Sequence, residues 1–509
     1  MSSVREKDSA KKRWSAFVAL SAAVPGAMFA ACGGTTGADP GDAAAEGASD
    51  RSVFDRTVVH RDGSFGGPFC DLPGSVVFQS SGVMTVVAGG PPNTPDLTWL
   101  TLPAGFCAHY FAHVNVARQI RFAPGGELFV ASPTTFTTGG GYDGLAEIVV
   151  LADDNLDGYA DGDALPHPDQ SAQNLSVFLS GLASTQGILF APGFFYYQDH
   201  TRIMRLPYQA GDRTPESSGT QVADITIYSS YGHWPKSMDI ADDGTIFVGN
   251  GGDQGESCDP AAFPRPFHGG ILKLDGSPGG TPVAQGFRNP IAVKCQHGTN
   301  RCFASELALD GSSFEGGREK LVPIRQGDDW GYPCCATANV PYSGASSANC
   351  SSVAPDNVSF IIGNTPFGFD FEPGLWPAPY TNSILLALHG GFVTWTGARV
   401  VMIATDASGM PIPTSDLDSG SAPPPNFATG WDDASHKHGR PADVMFAPDG
   451  RMFLANDQTG DIVWFAPVGL NGPALPEGGL DAGDASDATN DGDVGETGEA
   501  GAGEGMDGE

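Results

Sequence analysis

The feature that most constrains this chain is a unit repeated six times. "IRFAPGGELFVAS" begins at Ile120, "ILFAPGFFYYQD" at Ile188 and "MDIADDGTIFVGN" at Met238. "IAVKCQHGTNRCFASE" begins at Ile291, "FGFDFEPG…NSILLALHGG" at Phe367 and "DVMFAPDGRMFLAND" at Asp443. Each is an apolar strand, a turn rich in Pro, Asp or Gly, and a second apolar strand, the pattern of a β-hairpin. A third alternating strand follows each: "AEIVVLA", "TRIMRLP", "GGILKLD", "EKLVPIR", "ARVVMIA" and "GDIVWFA". Six such units of three or four short strands, about fifty to seventy-five residues apart, predict an all-β chain folded as a six-bladed β-propeller. Two stacked sandwiches are the competing architecture, and they leave six like hairpins without a reason. The 70 glycines and 40 prolines fit a chain of many tight turns better than a helical one.

The repeats occupy residues 67–470, and the flanks read differently. Arg5, Lys7, Lys11, Lys12 and Arg13 precede an apolar stretch of small residues from Trp14 to Ala31. Residues 1–31 are therefore expected to be an export signal. Its Pro25 and short length argue against a permanent membrane span. Phe29-Ala30-Ala31-Cys32 is similar to a bacterial lipobox, with Phe where Leu is usual. Lipidation at Cys32, and a cell-envelope location held by the acyl chain alone, is the expectation; plain secretion is the alternative. Residues 32–66, rich in Gly, Ala, Ser and Asp, read as a flexible linker. No Lys or Arg follows Arg451, and the acidic segment 471–509 lacks the apolar surface to fold, so a disordered tail is expected.

The chain has 26 Lys plus Arg against 59 Asp plus Glu, a formal net charge of −33. Nucleic acid is a poor partner for such a chain, because phosphate binding needs clustered cations. If Cys32 is lipidated, Cys70, Cys107, Cys258, Cys295, Cys302, Cys334, Cys335 and Cys350 remain. An even number outside the cytoplasm implies disulfides. Cys295 and Cys302 flank a turn and suit a hairpin staple. Separate partners are expected for Cys334 and Cys335, with a strained vicinal bridge as the alternative. No CxxC spacing supports structural zinc.

Three stretches beside the hairpins carry candidate chemistry. His233 in "YGHWPKSMDI" suits a general base, though a lone histidine is more often a surface or core residue. Arg288 in "GFRNP" keeps its charge at all relevant pH and its fork suits carboxylates or oxyanions; its bland reading is a salt bridge between blades. Gln186 in "STQGILF" is otherwise a loop amide capping backbone groups. A fourth stretch, "DDNLDGYADGDA", places Asp153, Asn155, Asp157, the Tyr159 carbonyl and Asp161 at the ligand spacing of an EF-hand-type Ca²⁺ loop. Position 12 is Ala164, with Asp163 beside it, and no helices flank the loop. A structural Ca²⁺ and an acidic turn that binds nothing are both open.

In order, "QG…HW…GDQG…GFRNP…GDDWGYP…LHG…GRPADVMFAPDG" resembles the soluble pyrroloquinoline-quinone (PQQ) sugar dehydrogenases, and their sorbosone-dehydrogenase-like relatives in particular. The resemblance runs from about Leu102 to Pro467; each motif alone is weak, and their order on six repeats is specific. It implies a six-bladed propeller binding PQQ and Ca²⁺ on one face and oxidising an aldose, a sorbosone-like aldehyde or a related sugar. By position it implies His233 as general base, Arg288 facing the reactive carbonyls, Asn289 as a cofactor contact and Gln186 at the pocket mouth. PQQ has three carboxylates, so further cations are required; Lys236, Lys437 and Arg440 are the candidates. The relatives' Ca²⁺-holding carbonyl segment corresponds to "SELALDGSSFEGGREKL", making Ala308 and Leu309 the expected carbonyl ligands, with Glu306, Asp310 and Glu319 nearby. The relatives' "HGSWNR" becomes "HGGFVTW" after His389, which removes an arginine. Electrons would pass to an external quinone or cytochrome. The alternatives are a Ca²⁺-dependent lactonase-type propeller, which leaves "HW" and "GFRNP" unexplained, and a non-catalytic surface propeller binding glycans or proteins.

Overall fold

The six repeated units form six antiparallel sheets in a computed structural model that describes residues 66–80, 82–133, 145–163, 175–227, 233–252, 258, 269–308, 318–391, 394–417, 421–433 and 435–472. The expected leader, Cys32, the linker up to residue 65, Ala164, Leu309, Asp310 and the tail from residue 473 lie outside the described residues.

Blade 1 comprises Ile120–Phe122, Leu128–Ser132, Ala146–Leu151 and Ser176–Leu182. Blade 2 comprises Ile188–Ala191, Phe194–Asp199, Arg202–Pro207 and Thr220–Asp224. Blade 3 comprises Met238–Ile240, Ile246–Asn250, Gly270–Leu274 and Thr281–Gln285. Blade 4 comprises Asn289–Cys295, Cys302–Leu307, Arg318–Pro323 and Val358–Ile361, with Thr414–Ser415 added in parallel at its edge. Blade 5 comprises Pro366–Phe371, Ile384–Leu388, Arg399–Ile403 and Asn426–Ala428.

Blade 6 joins the two ends of the folded body. Its first three strands, Pro441–Phe446, Met452–Asn456 and Asp461–Pro467, are followed by Phe106–His113 from the opposite end of the chain, then Val76–Phe78 and Met84–Val86. Asp461 pairs with His113 and Pro467 with Phe106, so the ring is closed by backbone hydrogen bonds. Gly472 N also donates to Gly67 O, which carries pairing one residue past the expected start of the tail. The first strands of the six blades touch in sequence, and Pro441–Phe446 returns beside Ile120–Phe122.

Apolar layers between the blades hold the ring. Phe129, Phe190 and Phe195 pack between blades 1 and 2, with Phe129 and Phe190 centroids 4.9 Å apart. Each such ring contributes about 1.5–3 kcal/mol by leaving water. All eight described cysteines are paired: Cys70–Cys107, Cys258–Cys334, Cys295–Cys302 and Cys335–Cys350. The hairpin staple is as expected, and the adjacent cysteines take separate partners.

The channel is filled by charge. Arg121, Asp239, Lys294, Asp370 and Asp443 come from the inner strands of blades 1, 3, 4, 5 and 6. Arg121 lies 3.2 Å from Asp443, which also accepts Ile120 N. Asp239 accepts Cys295 N from the next blade, and Asp370 accepts Phe446 N. This girdle ties neighbouring blades through side chains that a solvent-filled channel would leave loose.

Candidate active site

In this topology, the residues just before each inner strand and just after each second strand share one rim. That rule gathers Gln186, His233, Lys236, Arg288 and Arg440 with Asn250–Gly252, Ala308, His389 and Asp457. The Asp153 loop follows the third strand of blade 1 and therefore lies on the opposite rim.

Gly251 and Gly252 bring the two principal candidates together. His233 Nδ1 lies 2.8 Å from Gly252 O, while Gly252 N donates to Arg288 O at 2.6 Å. A Cβ on Gly251 would stand 2.6 Å from His233 Cβ and 3.0 Å from Asn289 Oδ1, so only glycine permits this approach. A carbonyl only accepts, so Nδ1 carries the proton. Burial, then the Arg288 guanidinium, push the ring down to about 3. The imidazole is thus neutral at pH 7, with Nε2 left as the acceptor.

Arg288 is 6 % exposed. Glu306 accepts its backbone N–H at 3.1 Å, and its NH1 donates to Ala308 O at 2.7 Å. Burial raises the Glu306 carboxyl to about 7, with Lys320 opposing at 3.9 Å. Gly286, at φ +77°, lets the preceding turn press on the blade-4 insertion: an added Cβ would meet Asp329 Oδ1 at 2.2 Å. Tyr332 N in turn donates to Gly286 O.

Gln186 is fixed from behind by Gln198. The Gln198 Oε1 accepts the backbone N–H groups of Gln186, Gly187 and Lys236, and its Nε2 donates to Trp234 O. Among the described residues, the amide oxygens Gln186 Oε1 and Asn289 Oδ1 on this rim, like Asn456 Oδ1 beside Asp457, are buried and have no hydrogen-bond partner. Such atoms are costly unless a ligand or water meets them.

A second cluster spans blades 5, 6 and 1. His389 Nε2 lies 3.0 Å from Asp457, as does Arg118 Nε. Burial pushes the Asp457 carboxyl up, but His389 and Arg118 pull it down further, to about 2. Arg440 donates to the carbonyls of His389 and Gly390. Arg118, Lys236, Arg288, Lys320 and Arg440 are all buried, in a chain poor in cations.

The fit to the expected groups is uneven. For a flat polycarboxylate, the buried guanidinium groups are suitable partners, while the neutral histidine and the amide oxygens of Gln186 and Asn289, which only accept, suit a hydroxyl donor. Of the expected Ca²⁺ ligands, Ala308 O has a partner within the chain and Leu309 lies outside the described residues. Ala308 O already accepts the Arg288 guanidinium, so positive charge stands where a cation would have to bind. Lys236 is also placed differently from a ligand contact: its ammonium is fully buried against Asn250 and Trp234 O. Lys437 is exposed on the loop before blade 6, and Glu319 accepts Thr365 N.

On the opposite rim the acidic loop folds onto itself. Asp153 accepts Asp157 N and Gly158 N, Asp157 accepts Tyr159 N, and Asp161 accepts Asp154 N. Asn155 donates to Asp157 at 3.0 Å. Among the described residues, no three His, Cys, Asp or Glu side chains gather in a metal-holding group.

Sequence reasoning missed Arg118 and Gln198. The repeat itself held the signal for Arg118: the position two residues before Ile120, Ile188, Met238 and Ile291 carries Arg118, Gln186, Lys236 and Asn289. Gln198 gave none, because it reads as one more position in a strand.

No protein-family model matches the sequence, and no curated protein matches it. Solved structures do. The calcium structure of Trichoderma reesei carbohydrate-active enzymes family AA12 superposes with a TM-score of 0.58 at 18% identity, covering 74% of this chain and 99% of that one. Its iodide structure gives 0.57 at 18% identity, over 74% and 100%. The holo form of the pyranose dehydrogenase PQQ domain from Coprinopsis cinerea gives 0.55 at 15% identity, over 74% and 98%. At these identities the likeness is one of fold: the chain is a six-bladed propeller of the shape shared by these carbohydrate-active and quinone-binding proteins.

Proposed function

We propose that this protein is a PQQ-dependent sugar oxidoreductase whose site is the rim between His233 and Arg288. The observation that carries the reading is their convergence on Gly252, which leaves a neutral Nε2 beside buried amide oxygens and a fixed cation. Arg288 and Asn289 hold the quinone from blade 4, with Arg118 and Arg440 supplying positive charge from blades 1 and 6. Bound there, the quinone supplies the hydride acceptor. His233 Nε2 takes the proton of the sugar hydroxyl, and Gly252 O steadies the imidazolium so formed. Gln186 Oε1 accepts a hydrogen bond at the pocket mouth. The substrate is an aldose or related sugar aldehyde, the electron acceptor is an external quinone or cytochrome, and export with a lipid anchor at Cys32 fits the chain's eight other cysteines.

The pairing of Ala308 O with Arg288 favours a second reading, a polyanion-binding propeller without turnover, since it removes the expected Ca²⁺ ligand. One experiment separates the two. The full chain is mixed with PQQ, with and without Ca²⁺, and dye reduction is followed with a panel of sugars. Sugar-dependent reduction that falls about 10²–10⁴-fold in His233→Ala is expected. Retained PQQ with no turnover on any sugar would leave the binding reading; no retained PQQ would remove both.

A further inference from the structure

Lys236 is the one site candidate that the fold turns inward, and its contacts have a pattern. Its ammonium donates to Asn250 Oδ1 at 2.7 Å and approaches Trp234 O at 3.4 Å. Trp234 directly follows His233. Asn250 directly precedes Gly251 and Gly252, whose carbonyl meets His233 Nδ1. One ammonium therefore bridges the two segments that define the orientation of the imidazole. The far side of the same segment is held by Gln198, which accepts Lys236 N and donates to Trp234 O.

Both partners of this fully buried ammonium are neutral. Burial is what drives its pKa, down to about 7. The titratable groups that sense it are themselves basic: it pushes His200 down after burial, and His233 down after burial and Arg288. A lysine sealed without a carboxylate among its hydrogen-bond partners is poorly placed for packing alone, since an apolar side chain of the same length would fill the space without desolvating a charge. What the amine adds is directed donors at a fixed point between Trp234 and Asn250.

We propose that Lys236 is a positioning residue, whose terminal amine clamps the Trp234 carbonyl to Asn250 so that His233 keeps Nδ1 on Gly252 and offers Nε2 to the substrate. The naming of a substrate rests on the oxidoreductase reading; the clamp itself does not. A neutral amine and an ammonium both supply the two donors the bridge needs, so the clamp persists through the titration of Lys236. Loss of the donors frees the Asn250–Gly252 turn, and the ring is then no longer confined to one tautomer.

The test uses the full chain with ¹⁵N-labelled histidine, and assigns His233 by difference against His233→Gln. In the unmutated protein without PQQ, ¹⁵N shifts at neutral pH should show His233 with its proton on Nδ1. Lys236→Met should give a mixture of tautomers, while Lys236→Gln, which keeps a donor, should restore most of the Nδ1–H form. Asn250→Ala removes the acceptor and serves as a second variant should Lys236→Met fail to fold. Its His233 signal should shift in the same direction. In PQQ-loaded protein, kcat should fall about 10–100-fold in Lys236→Met with the sugar KM within about twofold, as expected of a misplaced base. An unchanged His233 spectrum in Lys236→Met, or in Asn250→Ala, would overturn the clamp whatever the activity. A changed spectrum in a protein that never turns over a sugar would retain the clamp and sink the oxidoreductase reading.

Discussion

Two layers of buried charge lie along the inner strands, and they are built on opposite plans. In the channel girdle, Arg121 and Lys294 stand among Asp239, Asp370 and Asp443, and the carboxylates accept a guanidinium or backbone amides from a neighbouring blade. At the rim, among the described residues, Lys236 bonds to neutral acceptors, Arg288 NH1 bonds to a carbonyl, and the amide oxygens of Gln186 and Asn289 have no hydrogen-bond partner. Residue types are similar in the two layers and ion pairs occur in both, Arg121–Asp443 in the girdle and Arg118–Asp457 at the rim; the rim adds cations hydrogen-bonded to neutral groups. A layer whose charges cancel within the chain serves the ring. A layer with positive charge and open acceptors is completed from outside.

The comparison can be broken most forcefully at the girdle. Asp443→Ala removes the ion-pair partner of Arg121 and the acceptor of Ile120 N, and leaves the buried guanidinium on the carbonyls of Ile120 and Met238. It should cost about 3–5 kcal/mol in urea unfolding, with PQQ affinity per folded molecule unchanged. A large loss of affinity without a loss of stability would mean that the girdle belongs to the ligand site.

A smaller effect is expected on the opposite rim. Burial raises the Asp153 carboxyl from 3.8 to about 7, with Arg451 opposing. The folded state thus binds this proton more tightly than the unfolded chain. Its contribution is complete below about pH 4 and is lost as pH rises through 7. Asp153→Asn should flatten that fall, a difference on the order of 1–2 kcal/mol once partial solvent screening is allowed for. Tm measured from pH 4 to 8 reports it, and the sugar-dependent rate should not move. A parallel pH slope in both proteins would refute the assignment.

Much of this design is legible in the sequence, because hairpins announce themselves locally. The turn after Phe122 and its five counterparts carry the Pro, Asp and Gly that reverse a strand, so eighteen strands in six blades could be read directly from the repeats. The fourth strands are harder. Thr220–Asp224 and Asn426–Ala428 are short, with no alternation to mark them. Closure by Phe106–His113 is a pairing between the two ends of the body and has no local signal at all. In the site, chain position places His233, Gln186, Arg288 and Asn289 on one rim, since the first three stand before an inner strand and Asn289 opens one. Rotamers were not readable: only the fold shows that Lys236 turns back to Asn250 and that Arg288 occupies the Ala308 carbonyl.

The central claim is that the buried positive charge at the rim exists for a carboxylated quinone. Equilibrium titration of PQQ into the full-length protein and its Arg288→Ala variant, followed by quinone absorbance, tests it most directly. The account predicts saturable binding of one PQQ per chain, weakened at least about tenfold in the variant, the loss expected for a charge-assisted contact. Equal affinity in both proteins, or no binding to either, would contradict it.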